Sequence, residues 1–132
     1  MFDVYNLLDI EPVKAEKAYF WDRDGNKYLD FYGGHAVISI GHSHPHYVEL
    51  VTGQLNRIGF YSNAVKNHLQ EELERKLREL SGCTDYNLFL CNSGAEANEN
   101  ALKLSSFITG RSKILAMHAA FHGRTSGAVA IT

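Results

Sequence analysis

The chain has 132 residues, 45% hydrophobic and 21% charged, with a formal net charge of −2. That length suits one domain with one core, and that balance is typical of a soluble globular protein. The charge offers nothing to nucleic acid or an anionic membrane, no apolar run is long enough to span a bilayer, and Met1–Tyr5 lacks a basic segment followed by an apolar one. The cytoplasm is therefore the expected compartment, and Cys83 and Cys91, which lack metal-type spacing, are expected as reduced thiols.

In chain order, residues 18–31 predict a β-hairpin, because Tyr19-Phe20-Trp21 and Lys27-Tyr28-Leu29 flank Asp24-Gly25. The apolar, Gly-rich stretch 32–42 reads as a loop entering a short strand. Pro45 opens a helix whose face is marked by Val48, Val51, Leu55 and Ile58, with Gly59 at its end. A helix over 67–81 follows, with a Leu69, Leu73, Leu77 and Leu80 stripe. Glu71–Arg75, Glu72–Lys76 and Glu74–Arg78 are its i,i+4 pairs, and Ser81-Gly82 is its stop. A strand over 86–91, a helix over 95–109 and a strand over 113–118 then make a βαβ unit with parallel strands. Its helix is expected to bury Ala97, Ala101, Leu104 and Ile108 and to end at Gly110. Two parallel strands do not complete a sheet covered on both faces, so the chain reads as stopping within a fold. Bare strand edges of that kind favour instability or aggregation.

The chemistry concentrates after the two strands of the βαβ unit. Asn92-Ser93-Gly94 is a small-residue turn opening a helix, where unpaired N–H groups and the positive end of the helix dipole suit a phosphate. Ser93-x-x-Glu96 is equally a capping box, in which the helix serves its own donors. The loop Ala119–Thr125 lies on the same edge of the expected sheet, where ligands of open α/β sheets bind. It brings an aromatic ring (Phe121), an imidazole (His122) and a guanidinium (Arg124), suited to a flat ligand bearing a carboxylate or to an ordinary surface loop. His42-x-His44-x-His46 invites a metal reading, but Pro45 interrupts it and no Asp, Glu or Cys completes a ligand set, so no metal is expected.

Four motifs in order resemble those of the class III pyridoxal phosphate-dependent aminotransferases. They are the Trp21-Asp22…Gly25…Tyr28-Leu29-Asp30-Phe31 hairpin, Gly41-His42-Ser43-His44-Pro45, Asn92-Ser93-Gly94-Ala95-Glu96-Ala97-Asn98-Glu99, and Phe121-His122-Gly123-Arg124-Thr125. The resemblance runs from about Tyr5 to Thr132. Tyr5, Ile10–Lys14 and Gly33-Gly34-x-Ala36-Val37 are most similar to the acetylornithine and succinylornithine branch. The resemblance implies an α/β chain of the fold type I class of these transferases, incomplete. Residues 1–65 would be an N-terminal segment belonging to the small domain and active-site entrance, and 66–132 the start of the large parallel-sheet domain.

It further implies a cofactor, pyridoxal 5'-phosphate, held at its phosphate by Gly94 and Ala95 N–H groups with Ser93 beside them and at its ring by Phe121. Arg124 would pair with the substrate carboxylate, Tyr5 would stand at the entrance, and Ser62 and Asn63 would lie near the active site and subunit interface. His35 departs from the family pattern and would line the substrate pocket. The implied reaction moves the terminal amino group of an N-acyl-ornithine to 2-oxoglutarate in arginine biosynthesis, in a homodimer. Ornithine or another ω-amino acid as substrate, and a noncatalytic truncated relative, are the competing readings. None of the chain's seven lysines sits in a matching motif. The Schiff-base lysine is therefore expected beyond residue 132, within a longer subunit, and the 132 residues alone are expected to be inactive.

Overall fold

A computed structural model of the chain describes residues 6–132, which fall into two compact units divided between Val65 and Lys66. In the first unit β1 (Pro12–Glu16), β2 (Tyr19–Asp22) and β3 (Lys27–Leu29) form an antiparallel sheet in that order. The predicted hairpin is β2–β3, with Tyr19 opposite Leu29, Phe20 opposite Tyr28 and Trp21 opposite Lys27. The buried Asp22 carboxylate closes its loop by accepting from the Asn26 N–H at 2.8 Å, Asn26 Nδ2 at 2.9 Å and the Tyr28 hydroxyl at 2.8 Å. Gly25, with φ 85°, makes the bend that a side chain would strain. β1 is absent from the sequence reading, because its alternation of Val13 and Ala15 with Lys14 and Glu16 is short and weak; pairing with β2 creates it.

The strand expected within 32–42 does not form. In its place α1 (Gly33–Ala36) is a single turn in which Gly33, Gly34, His35 and Ala36 have φ of 55°, 55°, 59° and 61°. A left-handed L-residue costs roughly 1–2 kcal/mol, so such a turn has to be held. Asp30 holds it. Its Oδ1 accepts from the N–H groups of Tyr32 at 2.9 Å and Gly33 at 2.8 Å, and its Oδ2 meets His42 Nε2 at 2.7 Å.

The His42 hydrogen bond first, then the Gly33 N–H, keep the Asp30 carboxyl below its ordinary 3.8. A carboxyl with a depressed folded pKa adds stability above its unfolded pKa and loses it as pH falls through the folded one. The first unit is therefore expected to lose stability below about pH 4. Asp30→Asn is expected to flatten the acid limb of a thermal midpoint against pH plot, and an unchanged limb would remove Asp30 from that role.

α2 (Pro45–Arg57) starts at the predicted proline but ends at the extended Ile58, not at a left-handed Gly59. In the second unit α3 (His68–Ser81) is capped by Asn67, whose Oδ1 accepts from the Leu69 N–H at 3.0 Å, and is stopped by Gly82 at φ 73°. Lys76 pairs with Glu72 at 2.7 Å and Arg78 approaches Glu74 at 3.8 Å. Arg75 turns C-terminally to Glu79 at 2.8 Å and not to the expected Glu71.

α4 (Gly94–Thr109) ends at left-handed Gly110 as its sequence indicates, and α5 (Ser126–Ala130) is a short helix packed on it. The strands expected at 86–91 and 113–118 are absent. A strand exists by its ladder, and neither apolar run has a pairing neighbour among the described residues. The expected buried face of α4 is also corrected. Ala97 and Ala101 are exposed, as are Leu104 (60%) and Ile108 (74%), whereas Ala95, Asn98 and Glu99 are partly covered. α5 and its preceding loop pack on that polar, small-residue side.

The single expected core is missing as well. Ala128 is the one buried hydrophobic side chain among the described residues, and the stripe Leu69, Leu73 and Leu77 stays about two-fifths exposed. The accessible surface is 12130 Å². Two separate compact globules sharing this mass would expose only about 8,400 Å². The helices thus carry apolar faces that nothing among the described residues covers.

Candidate functional site

The site is built on the first turn of α4. Ser93 caps the helix, its Oγ accepting from the Glu96 N–H at 3.2 Å. The Glu96 carboxylate accepts from the Ser93 hydroxyl at 3.1 Å and the Asn92 N–H at 2.8 Å. The capping box is therefore real, yet it leaves the N–H groups of Gly94 and Ala95 without a hydrogen-bond partner among the described residues. The two readings of this turn are compatible. Glu96 and Ser93 satisfy the flanks, and two donors at the positive end of a 16-residue helix remain for an anion.

The Phe121–Thr125 loop comes to this helix end, and with Gly94, Ala95 and Asn98 it lines an open hollow of about 520 Å³. The two segments meet, as the βαβ reading expects, although the strands and the sheet edge meant to bring them together do not form. Gly123 is buried, with φ 132°. A Cβ on it would stand 2.5 Å from the Ala95 Cβ and 3.1 Å from the Ala128 Cβ, so glycine is what lets the loop rest on α4. The Phe121 ring is exposed and has the Arg124 guanidinium 5.6 Å from its centroid. His122 Nδ1 and Thr125 Oγ1 are buried in the same place without a hydrogen-bond partner of good geometry.

Glu99, on the next turn, accepts from the Gly127 N–H at 2.6 Å and the Ala128 N–H at 3.4 Å. The Thr125 hydroxyl beside it is the largest influence holding the Glu99 carboxyl below its ordinary 4.5, followed by the Gly127 N–H.

Of the residues expected at a site, Gly94, Ala95, Phe121 and Arg124 line one hollow and Ser93 caps the helix beneath it. His35 belongs to the first unit, where its ring nitrogens lie 2.7 and 2.8 Å from the Tyr32 hydroxyl. Ser62 and Asn63 also belong to the first unit, and Ser62 Oγ accepts from the Ala64 N–H at 3.1 Å. Tyr5 lies outside the described residues. Sequence reasoning gives no role to Asn98, Glu99 or Gly123. The signal for the first two was polar residues on the same α4 face as Gly94 and Ala95, three to five positions on.

A larger hollow of about 840 Å³ in the first unit carries the Asp30–His42 pair, which is satisfied internally. Among the described residues no three His, Cys, Asp or Glu side chains gather as a metal set; His42 turns to Asp30 and His46 to Glu49. No helix among the described residues is long and apolar enough to cross a membrane.

The profile of the class III aminotransferases matches residues 3–132. The chain belongs to that family. It is 43% identical over all 132 residues to acetylornithine aminotransferases of Bacillus amyloliquefaciens and Bacillus subtilis (strain 168), spanning 57% and 34% of their lengths. Its fold matches the taurine:2-oxoglutarate aminotransferase of Bifidobacterium kashiwanohense, solved with PLP and glutamate. That match has a TM-score of 0.86 at 30% identity and covers 97% of this chain and 29% of that one. The acetylornithine aminotransferase of Elizabethkingia anophelis matches with a TM-score of 0.72 at 34% identity, over 83% of this chain and 29% of that one. The ornithine aminotransferase of Toxoplasma gondii ME49 matches with a TM-score of 0.80 at 29% identity, over 96% and 31%. The chain therefore has part of the α/β fold of these PLP-dependent enzymes and spans about a third of the solved relatives.

The hollow fits the cofactor this class III aminotransferase family implies. Two unpaired helix N-terminal donors suit a phosphate, and an exposed phenylalanine ring suits a flat heteroaromatic ring. The Ser93 hydroxyl is already committed to Glu96, which leaves the Gly94 and Ala95 N–H groups as the donors available to an anion there.

Proposed function

We propose that this chain supplies the phosphate- and ring-binding part of the active site of a pyridoxal 5'-phosphate-dependent aminotransferase. The substrate is an N-acyl-ornithine, acetyl or succinyl, which gives its terminal amino group to 2-oxoglutarate in arginine biosynthesis. The working form is a cytoplasmic homodimer. The observation that carries the reading is the pair of unpaired Gly94 and Ala95 N–H groups in a hollow shared with Phe121 and Arg124. The names of the Bacillus relatives support the acyl-ornithine choice.

When bound, the cofactor supplies an electron sink for carbanion chemistry. The residues of this chain bind and orient. Gly94 and Ala95 hold the phosphate, Phe121 packs against the ring, and Arg124 pairs with the substrate carboxylate in the two-point geometry that a lysine lacks. His35 lines the substrate pocket, and Tyr5 stands at its entrance. None of the residues lining the hollow is a lysine. The Toxoplasma neighbour supports a second reading, an ornithine aminotransferase.

Rates with 2-oxoglutarate on acetylornithine, succinylornithine and ornithine, for the protein as it occurs in its source, separate these. The acyl substrates are expected to lead ornithine by at least about tenfold in kcat/KM. His35→Ala is expected to change the acetyl to succinyl ratio by about threefold or more, the effect of one lost hydrogen bond. Preference for ornithine would transfer the protein to the second reading. Cofactor binding without turnover on any substrate would make it a noncatalytic relative.

A further inference from the structure

We infer that Asn98 and Glu99 are positioning residues that hold the Phe121–Thr125 loop at a fixed height over the Gly94 and Ala95 N–H groups. Together they set the distance between phosphate cradle and ring contact. The inference rests on the functional reading above.

Asn98 stands four residues after Gly94 and three after Ala95, hence on the same side of α4, one turn along. Its Nδ2 donates to the His122 carbonyl at 2.6 Å, across 24 residues of sequence. Glu99 fixes the other side of the loop. Its Oε1 accepts from Gly127 and Ala128 N–H groups, and the buried Thr125 hydroxyl sits next to it. Residues 122, 127 and 128 are thus tied to two successive residues of one helix, and Arg124 lies between the ties. Gly123 rests on Ala95 in the middle, with no room for a Cβ.

A rigid helix therefore sets both halves of the hollow. Its first turn presents the anion donors, and its second turn fixes the loop bearing the ring contact. Neither Asn98 nor Glu99 is asked to touch the reacting atoms. Asn98 reaches the cofactor through His122, and Glu99 through the start of α5.

The test uses the protein as it occurs in its source. It reads two constants for each variant, the Kd for pyridoxal 5'-phosphate and the inhibition constant of inorganic phosphate against it. Asn98→Asp keeps the shape, removes the donor and sets a carboxylate against the His122 carbonyl. It is expected to weaken pyridoxal 5'-phosphate about tenfold while phosphate changes less than about twofold, because the cradle donors are untouched. Glu99→Leu is expected to do the same. Glu99→Gln, which keeps an acceptor oxygen, is expected to rescue binding to within about threefold of wild type.

Parallel loss of both affinities would show general damage to α4 and overturn the inference, as would no loss of either. Should Asn98→Asp fail to fold, the Glu99→Leu and Glu99→Gln pair decides alone. A wild-type protein whose cofactor binding phosphate does not compete would instead overturn the site itself, a result distinct from unchanged variants in a competent wild type.

Discussion

Gly123→Ala is expected to weaken pyridoxal 5'-phosphate binding about a hundredfold. The added Cβ meets the Ala95 side chain at 2.5 Å and its backbone at 3.0 Å, and the residue sits at φ 132°, which L-residues rarely adopt. Backbone strain and overpacking each cost about 1–3 kcal/mol, so relief comes by lifting the loop off α4. A loss of about 3 kcal/mol corresponds to roughly two powers of ten in affinity. Gly94→Ala is the control. A Cβ there meets nothing within 4 Å, so the fold should hold. Any loss of cofactor affinity in Gly94→Ala then reports close approach of the phosphate to the backbone. Equal effects of the two substitutions on a cofactor titration would contradict the geometry.

Arg124→Ala is expected to lower kcat/KM for the proposed acyl-ornithine substrate by about 10–100-fold, the cost of leaving the substrate carboxylate without its charge-assisted partner. Arg124→Lys should recover only part of this, because an ammonium cannot make the parallel pair of hydrogen bonds. Cofactor affinity should move little, since the phosphate donors are backbone groups. Steady-state kinetics beside a cofactor titration check both. The guanidinium lies 5.6 Å from the Phe121 ring, so a parallel fall in the two quantities would mean that Arg124 acts by holding that ring.

Helices α2, α3 and α4 were legible because their signals are local. Asn67 and Ser93 cap, Gly82 and Gly110 stop, and Pro45 starts, each within one turn of the backbone it serves. The β2–β3 hairpin was legible for the same reason, through Asp24-Gly25. What failed depends on partners. Leu88–Cys91 and Ile114–Met117 have the composition of buried strands, but composition cannot supply a neighbour, and the described residues offer none. The apolar side of α4, including Leu104 and Ile108, looked like the packed face. The contacts instead use Ala95, Asn98 and Glu99, residues that resemble an ordinary solvated surface.

The left-handed turn at Gly33–Ala36 was hidden because its support, Asp30 and His42, comes from either side in sequence. The candidate site was more legible than the fold around it. A turn that opens a helix displays its free donors whatever lies before it, and Phe121 and Arg124 announce themselves by type. The ties that bring loop and helix together carry no motif.

The central claim is that phosphate is held by the start of α4 with the ring against the 121–125 loop. A crystal structure of the protein with pyridoxal 5'-phosphate bound tests it most directly. The expected result is phosphate oxygens within about 3.2 Å of both the Gly94 and Ala95 nitrogens, and the pyridine ring stacked on Phe121. A phosphate seated elsewhere, with those two N–H groups left to solvent, would contradict it.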